Sequence, residues 1–583
     1  MDLVTALRQA GVRRGDLAGL AAAPDGTVAV AFADAAWAGP AAAVTAADEA
    51  LRPRWVTWTP ETAQQLVPMG VRLATCWDVA AVHRLLFGGW RADPGFAWAH
   101  LRGLPPGQVP AAGSRSPGEA DLFDAAHEHD AASGTAGGTP DNPVGPDGYL
   151  SPEWTRGGWA ISPARLRRWA RLGREAAELQ GAALDDGGGM AVATARSEST
   201  AELLCAELSA DGLPMDRTTA EQVLTGVIGP RPAGAAEAAA MRAARDGEVL
   251  RQAPAGVTAD LRSPVQVRSL LAAAGVEVPD TRAWRLEEFR DSHPIVAALL
   301  EWRKAERIAT TYGYAWLDEH LGPDGRLRGA WTGSDGAAGR MTASNGLHNM
   351  PAAMRRAVIA APGHALIRAD LGQIEPRVLA AVSGDRALAA ATSADDLYLP
   401  VAAQLGVDRP TAKVAMIAAM YGQTTGHGGQ AGRRMRAAYP VAMAYLDSAD
   451  GSARAGRDLR TYGGRLVRMS GGGQNSADTA RVAARGRYGR NALIQGAAAE
   501  LFKMWAVTVR ARGVPLGARI VLCLHDELLL HVPCDEAEKA ARLVGDCLEE
   551  TAARWAPGGG GAEGAGVRFI ADISIVRSWA DAK

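Results

Sequence analysis

Asp370 stands in HALIRADLGQIEPRVLA (364–380), between an apolar run, Ala365–Ala369, that reads as a short strand and a run, Gln373–Ala381, that reads as a helix. A carboxylate at such a strand end either caps the helix or faces a cleft. A second acidic group lies in RIVLCLHDELLLHVP (519–533). The apolar runs Ile520–Leu524 and Leu528–Val532 predict a hairpin with His525, Asp526 and Glu527 at its tip. Tight tips favour Gly and Asn, so three such side chains in a row favour chemistry over scaffold. Asp370 and Asp526 together could chelate two Mg²⁺ ions. Hard divalent cations take carboxylate oxygens, and a pair ~3.5–4 Å apart clamps the attacking and leaving oxygens of phosphoryl transfer.

A third group is cationic. In RPTAKVAMIAAMYGQ (409–423), Arg409, Lys413, Ile417 and Tyr421 recur every four residues. On a helix they form one stripe, drifting about 40° per step. Like charges at i, i+4 repel by a few tenths of a kcal/mol, and no acidic residue within the helix relieves them, as expected if a triphosphate supplies the counter-charge. The alternative, a solvated basic face, does not account for the continuation into Ile417 and Tyr421. Lys413 is also one of only five lysines, beside 57 arginines, which favours a need for a compact ammonium there.

The chain that must position these groups has 583 residues, too many for one core. With 48% hydrophobic and 22% charged residues it has the composition of a soluble globular protein. Its formal charge of −2 excludes a uniformly basic coat, yet residues 401–500 carry 14 basic and 6 acidic side chains, the place to look for a polyanion partner. Five cysteines without CxxC pairing read as reduced thiols, and the start lacks a signal-peptide core, so a cytoplasmic protein with no membrane segment is expected. Residues 1–105 read as a small α/β unit, 106–160 as a Gly/Pro/Ser/Asp-rich disordered linker or insertion, 161–195 as a helical connection, and the chain after Trp331 as mixed α/β.

In this order, with the basic segment between the two acidic sites, the motifs resemble family A DNA polymerases, the DNA polymerase I-like enzymes of bacteria. The resemblance runs from about Ser197 to Trp579, with DLGQIEPR, the R-x₃-K-x₃-I-x₃-YG helix, NALIQGAAAE and LHDEL as its core. It implies an α+β, right-hand polymerase fold: thumb 196–300, palm 301–385 and 491–583, fingers 386–490. It further implies that Asp370, Asp526 and the backbone carbonyl of Leu371 hold two Mg²⁺ ions. Glu527 matches the second, less essential acid. Arg409 and Lys413 would hold the triphosphate of a dNTP, with Ile417, Tyr421 and Gln373 in the same pocket and Glu375 as the gate against a ribose 2′-hydroxyl. Arg303, Arg307, Arg340, Arg487, Asn491, Gln495 and His525 match positions that touch primer-template DNA, so the resemblance also implies nucleoid association.

The chain departs from the family pattern in four places, one of them a pair of residues. Ile417 replaces an aromatic and can pack on the sugar but not stack. Leu371-Gly372 replaces Tyr-Ser, Pro376 replaces an apolar residue in a helix's first turn, and His348 stands where Gln is usual. The first hundred residues resemble a shortened, degenerate 3′–5′ exonuclease-like (RNase H-like) domain. None of its seven Asp is followed by Glu two positions on, and only Asp78, in Cys76-Trp77-Asp78 with Val79 and His83, resembles a motif of that domain. Glu119–Phe123 (EADLF) resembles a sliding-clamp docking peptide. The expected product is a monomeric, template-directed DNA polymerase for replication or repair, without proofreading. A non-catalytic DNA-binding relative and a single-subunit RNA polymerase are the alternatives; the intact acid and cation set argues against the first and Glu375 against the second.

Overall fold

The computed structural model describes residues 1–110, 142–185, 189–422, 427–469, 479–556 and 566–582. The chain divides into two units. One contains Met1–Asp211, Ala330–Ala343 and Gly363–Ile575; the other contains Gly212–Gly329, Ser344–Pro362 and Val576–Lys583.

In the first unit, short and mostly apolar runs build a sheet of β1 (Leu17–Ala22), β2 (Thr27–Phe32), β3 (Ala35–Pro40), β4 (Arg54–Thr57) and β5 (Cys76–Asp78), in the order β3-β2-β1-β4-β5. β1 pairs antiparallel with β2 and parallel with β4. β2, TVAVAF, is apolar on both faces and buried on both, as a covered strand must be. The Pro163–Asp185 helix packs on β1 and β2, and the Gly189–Asp211 helix on β5. Gly19 permits the first contact, since a Cβ there would stand 1.9 Å from the Ala170 carbonyl oxygen.

Residues 142–160, expected as part of a disordered linker, are ordered. Composition averages hide three anchors. Leu150 and Trp154 are buried in the core of this layer, and the Tyr149 hydroxyl donates to the Pro105 carbonyl at 3.0 Å. Residues 111–141, with the clamp-like peptide Glu119–Phe123, lie outside the described residues.

A second sheet in this unit has four strands in the order Arg519–Leu524, Glu527–Pro533, His364–Leu371 and Ala571–Val576. The hairpin 519–533 and the strand before Asp370 form as read from the sequence, with one difference. Leu524 pairs with Glu527, so the turn is only His525-Asp526 and Glu527 is the first residue of the returning strand. A separate helical core, built on Leu379, Leu388, Val401, Met416, Tyr439, Leu446 and Ile494, holds the Ile374–Ser383 and Arg409–Tyr421 helices together. The 35-residue Thr479–Gly513 helix packs against both the Gly189–Asp211 helix and the Pro440–Arg454 helix.

The second unit is mostly helical: Arg217–Ile228, Ala235–Leu250, Pro264–Ala273 and Pro294–Thr311 enclose Val249, Val267, Leu270, Leu271, Val296 and Leu299. The structure draws boundaries elsewhere than expected. Helix Gly189–Asp211 continues unbroken through 196 and stays with the first unit, because Leu203 and Ala206 pack on the core of the amino-terminal sheet. Residues 301–329 and 344–362 belong to the helical unit rather than to the four-stranded sheet. No helix among the described residues is long and apolar enough to cross a membrane.

Candidate functional site

Antiparallel pairing puts the two acidic sites side by side. Asp370 lies directly opposite Glu527, and the Leu371 N–H donates to the Asp526 carbonyl oxygen at 2.9 Å. Arg368, two residues before Asp370 and therefore on the same face of the strand, donates to Asp370 Oδ2 at 2.6 Å and to Glu527 Oε2 at 3.2 Å. Its other branch reaches Asp572 at 3.5 Å. Arg368 was not singled out in the sequence; its signal is a cation at i−2 on a strand that ends in an acid.

One guanidinium does not balance this cluster. Burial first, then the neighbouring Asp370, pushes the Asp526 carboxyl up to about 7, with Glu527 and Glu375 adding to the effect. Burial also raises Asp370, with Glu527 and Asp572 adding and Arg368 opposing. Asp370 and Asp526, both raised by burial and by acidic neighbours, are short of positive charge, and their hard oxygens suit divalent cations. The donor set therefore fits a metal. It is a pair rather than a cage: no group of three or more His, Cys, Asp or Glu side chains among the described residues is arranged to hold an ion.

Beside the acids is a cleft of about 280 Å³ within the first unit. Asp526 and His525 line it from the hairpin, Gln373 and Glu375 from the start of the Ile374–Ser383 helix, Ile417 and Tyr421 from the Arg409–Tyr421 helix, Gln495 from the Thr479–Gly513 helix, and Arg340 from the Arg340–Ala343 strand. Among the described residues, two of the five non-glycine residues with positive φ line it, His525 at 40° and Gln373 at 53°. Such backbone costs about 1–3 kcal/mol per residue and persists where surrounding structure enforces it. Glu375 is raised by burial, with Arg340 acting against the shift. His525 is lowered, by burial first and then by Arg340. Gln495 donates to the Tyr421 hydroxyl at 3.2 Å. Pro376 is the third residue of its helix, where it displaces no intrahelical hydrogen bond.

The cationic stripe forms as expected. Asp408 caps the Arg409–Tyr421 helix by accepting from the Thr411 N–H, and Ala412, Ala415, Met416 and Ala419 bury the opposite face. Lys413 is exposed and has no ion-pair partner among the described residues. Arg409 differs from expectation: its counter-charge comes from outside the helix, through an ion pair between its Nε and Asp396 Oδ2. Gln373, too, is engaged inside the protein, its amide donating to Asp396 Oδ1 at 3.1 Å and accepting from the Leu397 N–H at 2.9 Å.

The remaining candidates divide. Arg487, Asn491 and Gln495 follow one another at i, i+4 and i+8 on the Thr479–Gly513 helix; Arg487 is exposed, Asn491 and Gln495 half-buried. Arg303 and Arg307 belong to the other unit, where Arg303 donates to the Thr281 carbonyl and Arg307 to the Asn349 carbonyl at 2.8 Å. Beyond Arg368, three residues near the site were missed. Tyr398 and Met420 line the cleft. Arg377, fully buried, donates to the carbonyls of Gly372, Thr392, Ala394, Asp395 and Arg568, fastening the turn after Asp370 to two other loops. Spacing gives no sign of contacts that come from 15 to 191 residues away.

Comparison with known proteins gives a consistent answer. A stretch of 293 residues is 34% identical to DNA polymerase I of Chloroflexus aurantiacus, covering 45% of this chain and 31% of that protein. Another of 327 residues is 30% identical to the thermostable DNA polymerase I of Thermus filiformis, covering 51% and 38%. The matched region thus spans about a third of the length of these curated relatives. Among solved structures, the POL domain of Pol1 from M. smegmatis in complex with DNA primer-template and dNTP shares the fold, with a TM-score of 0.68 at 20% identity over 100% of this chain and 98% of that one. The family model for DNA polymerase family A matches residues 238–581. That is more than half of the sequence, and the chain belongs to DNA polymerase family A.

Proposed function

We propose that the chain is a template-directed DNA polymerase that adds deoxynucleotides to a primer 3′-hydroxyl. One observation carries this reading: a single cleft joins Asp526 of the acidic pair, the Glu375 carboxyl, and the end of a helix whose exposed stripe runs back through Lys413 to Arg409. That is the order a nucleotide requires, with reacting phosphate at the acids, sugar beside Glu375 and the outer phosphates along the cations.

Asp370, Asp526 and the Leu371 carbonyl would hold two divalent cations, Mg²⁺ in the reading adopted here. Ions held there would supply Lewis-acid chemistry, lowering the pKa of the primer hydroxyl and offsetting charge on the α-phosphate and leaving pyrophosphate. The protein's own groups do the rest. Lys413 and Arg409 bind the β- and γ-phosphates. Glu375, half-buried, occupies the room a 2′-hydroxyl needs. Ile417 and Tyr421 pack against sugar and templating base. Arg340, Arg487, Asn491, Gln495 and His525 in one unit, and Arg303 and Arg307 in the other, take the primer-template.

The amino-terminal sheet is read as an exonuclease-like layer without exonuclease chemistry. Asp78 is buried, accepts from the Ala81 N–H at 2.8 Å as a helix cap, and is pushed up to about 8 by burial and by Glu202. A carboxyl buried as a helix cap, its protonated form favoured by burial, is unsuited to hold metal. The clamp-docking role of Glu119–Phe123 and a monomeric state belong to this reading as well.

Primer extension tests it. With Mg²⁺, a primed template and all four dNTPs, the wild type should extend the primer, and Asp370→Asn should not. Extension by Asp370→Asn at the wild-type rate would remove the acids from the mechanism.

A further inference from the structure

We propose that Asp396 is a positioning residue for the incoming nucleotide, holding the Arg409 guanidinium so that its two terminal nitrogens face the triphosphate. This rests on the polymerase reading above and adds to it a residue outside the motifs that led there.

Arg409 engages Asp396 Oδ2 through Nε alone, and its two Nη groups have no hydrogen-bond partner among the described residues. Its guanidinium also lies 5.6 Å from the centre of the Tyr398 ring. One side of the cation is thereby fixed, and the outer fork, the part suited to bidentate phosphate recognition, is left available.

The mount itself is rigid. Asp396 Oδ1 accepts from Gln373 Nε2 at 3.1 Å and from the Tyr398 N–H at 3.0 Å. The preceding backbone is held by buried Arg377, which donates to the Ala394 and Asp395 carbonyls at 2.8 and 3.0 Å. Gln373 lies three residues after Asp370 in a left-handed conformation, and its amide oxygen accepts from the Leu397 N–H. A continuous set of hydrogen bonds thus runs from the turn after Asp370, through Gln373 and Asp396, to Arg409 on the nucleotide helix. With side chains 45% and 25% exposed, the Arg409–Asp396 pair contributes little to stability. What it supplies is orientation, because one partner is already immobilised.

The alternative is competition, in which Asp396 occupies the place of a phosphate and must be displaced. The two predict opposite signs. Asp396→Asn keeps the size of the side chain and an oxygen for the Gln373 and Tyr398 donors but removes the anion facing Arg409. The dNTP dissociation constant is to be measured by titrating dNTP into a complex of protein with a dideoxy-terminated primer-template, for wild type, Asp396→Asn, Arg409→Ala and the double variant, with primer-template affinity and Tm alongside. Positioning predicts that Asp396→Asn weakens dNTP binding about tenfold or more, with DNA affinity and Tm close to wild type, and by less than about twofold when Arg409 is already Ala. Unchanged or tighter dNTP binding in Asp396→Asn, or an equal loss in both backgrounds, overturns the proposal. A wild type that binds dNTP but does not extend primers would instead count against the polymerase reading alone.

Discussion

Asp526 is where residue-level chemistry is most exposed to test. Burial and the neighbouring Asp370 push its carboxyl up from the ordinary value of 3.8 to about 7 in the metal-free fold. Between those values the folded state holds a proton that the unfolded state has lost, so this group's contribution to stability is full below about pH 4 and disappears as the pH rises through 7. Asp526→Asn should therefore raise the Tm of the metal-free protein at pH 8 by a few degrees and by much less at pH 5; equal shifts at both would show that the group does not titrate this way. A cation must displace the same proton, so metal affinity should climb with pH up to about 7. Glu375 supports a different prediction. Glu375→Ala should raise ribonucleotide use relative to deoxynucleotide use at least tenfold in competitive incorporation, and unchanged selectivity would remove it as the sugar gate.

At the scale of elements, a buried ionic network supports the site from behind. Lys503, on the Thr479–Gly513 helix, pairs with Glu198 on the Gly189–Asp211 helix, and Glu198 also pairs with Arg465 at 2.5 Å. Lys503 donates to the carbonyls of Gly333 and Gly339 at 3.2 and 2.6 Å, gripping both sides of the hairpin that carries Arg340. Burial raises the Glu198 carboxyl, but Arg465 and Lys503 outweigh it and bring it below its usual range. Removing one partner of such a network leaves an uncompensated buried charge, so Lys503→Met should cost about 3–5 kcal/mol in a denaturation experiment; a loss below 1 kcal/mol would show that the network is dispensable. The network also marks what spacing can reveal. Scarcity of lysine drew attention to Lys413, whose helix neighbours share its stripe. The same scarcity applied to Lys503, yet its partner lies 305 residues earlier and only folding brings them together. The strands around Asp370 and Asp526 and the nucleotide helix were legible because each is encoded in a continuous run of apolar period. Arg368, Arg377 and Asp396 act across elements, and no local period encodes that.

Across the whole molecule, charge and burial divide the chain by function. A formal charge of −2 conceals the excess of eight positive charges over residues 401–500, where the cationic helix lies. The amino-terminal layer shows the opposite, with its one motif-like acid, Asp78, buried as a cap. Metal-dependent degradation of single-stranded DNA should therefore be absent from an Asp370→Ala variant, and its persistence would restore exonuclease chemistry to that layer. A role in nucleotide addition is expected of the acids at the end of the 364–371 strand and at the tip of the 519–533 hairpin. It is tested most directly by single-turnover incorporation of one dNTP on a primed template with Mg²⁺, comparing wild type with Asp526→Asn while following DNA affinity. A loss of at least a thousandfold in rate is expected, with primer-template affinity within about threefold of wild type. Incorporation by Asp526→Asn within tenfold of the wild-type rate would contradict it.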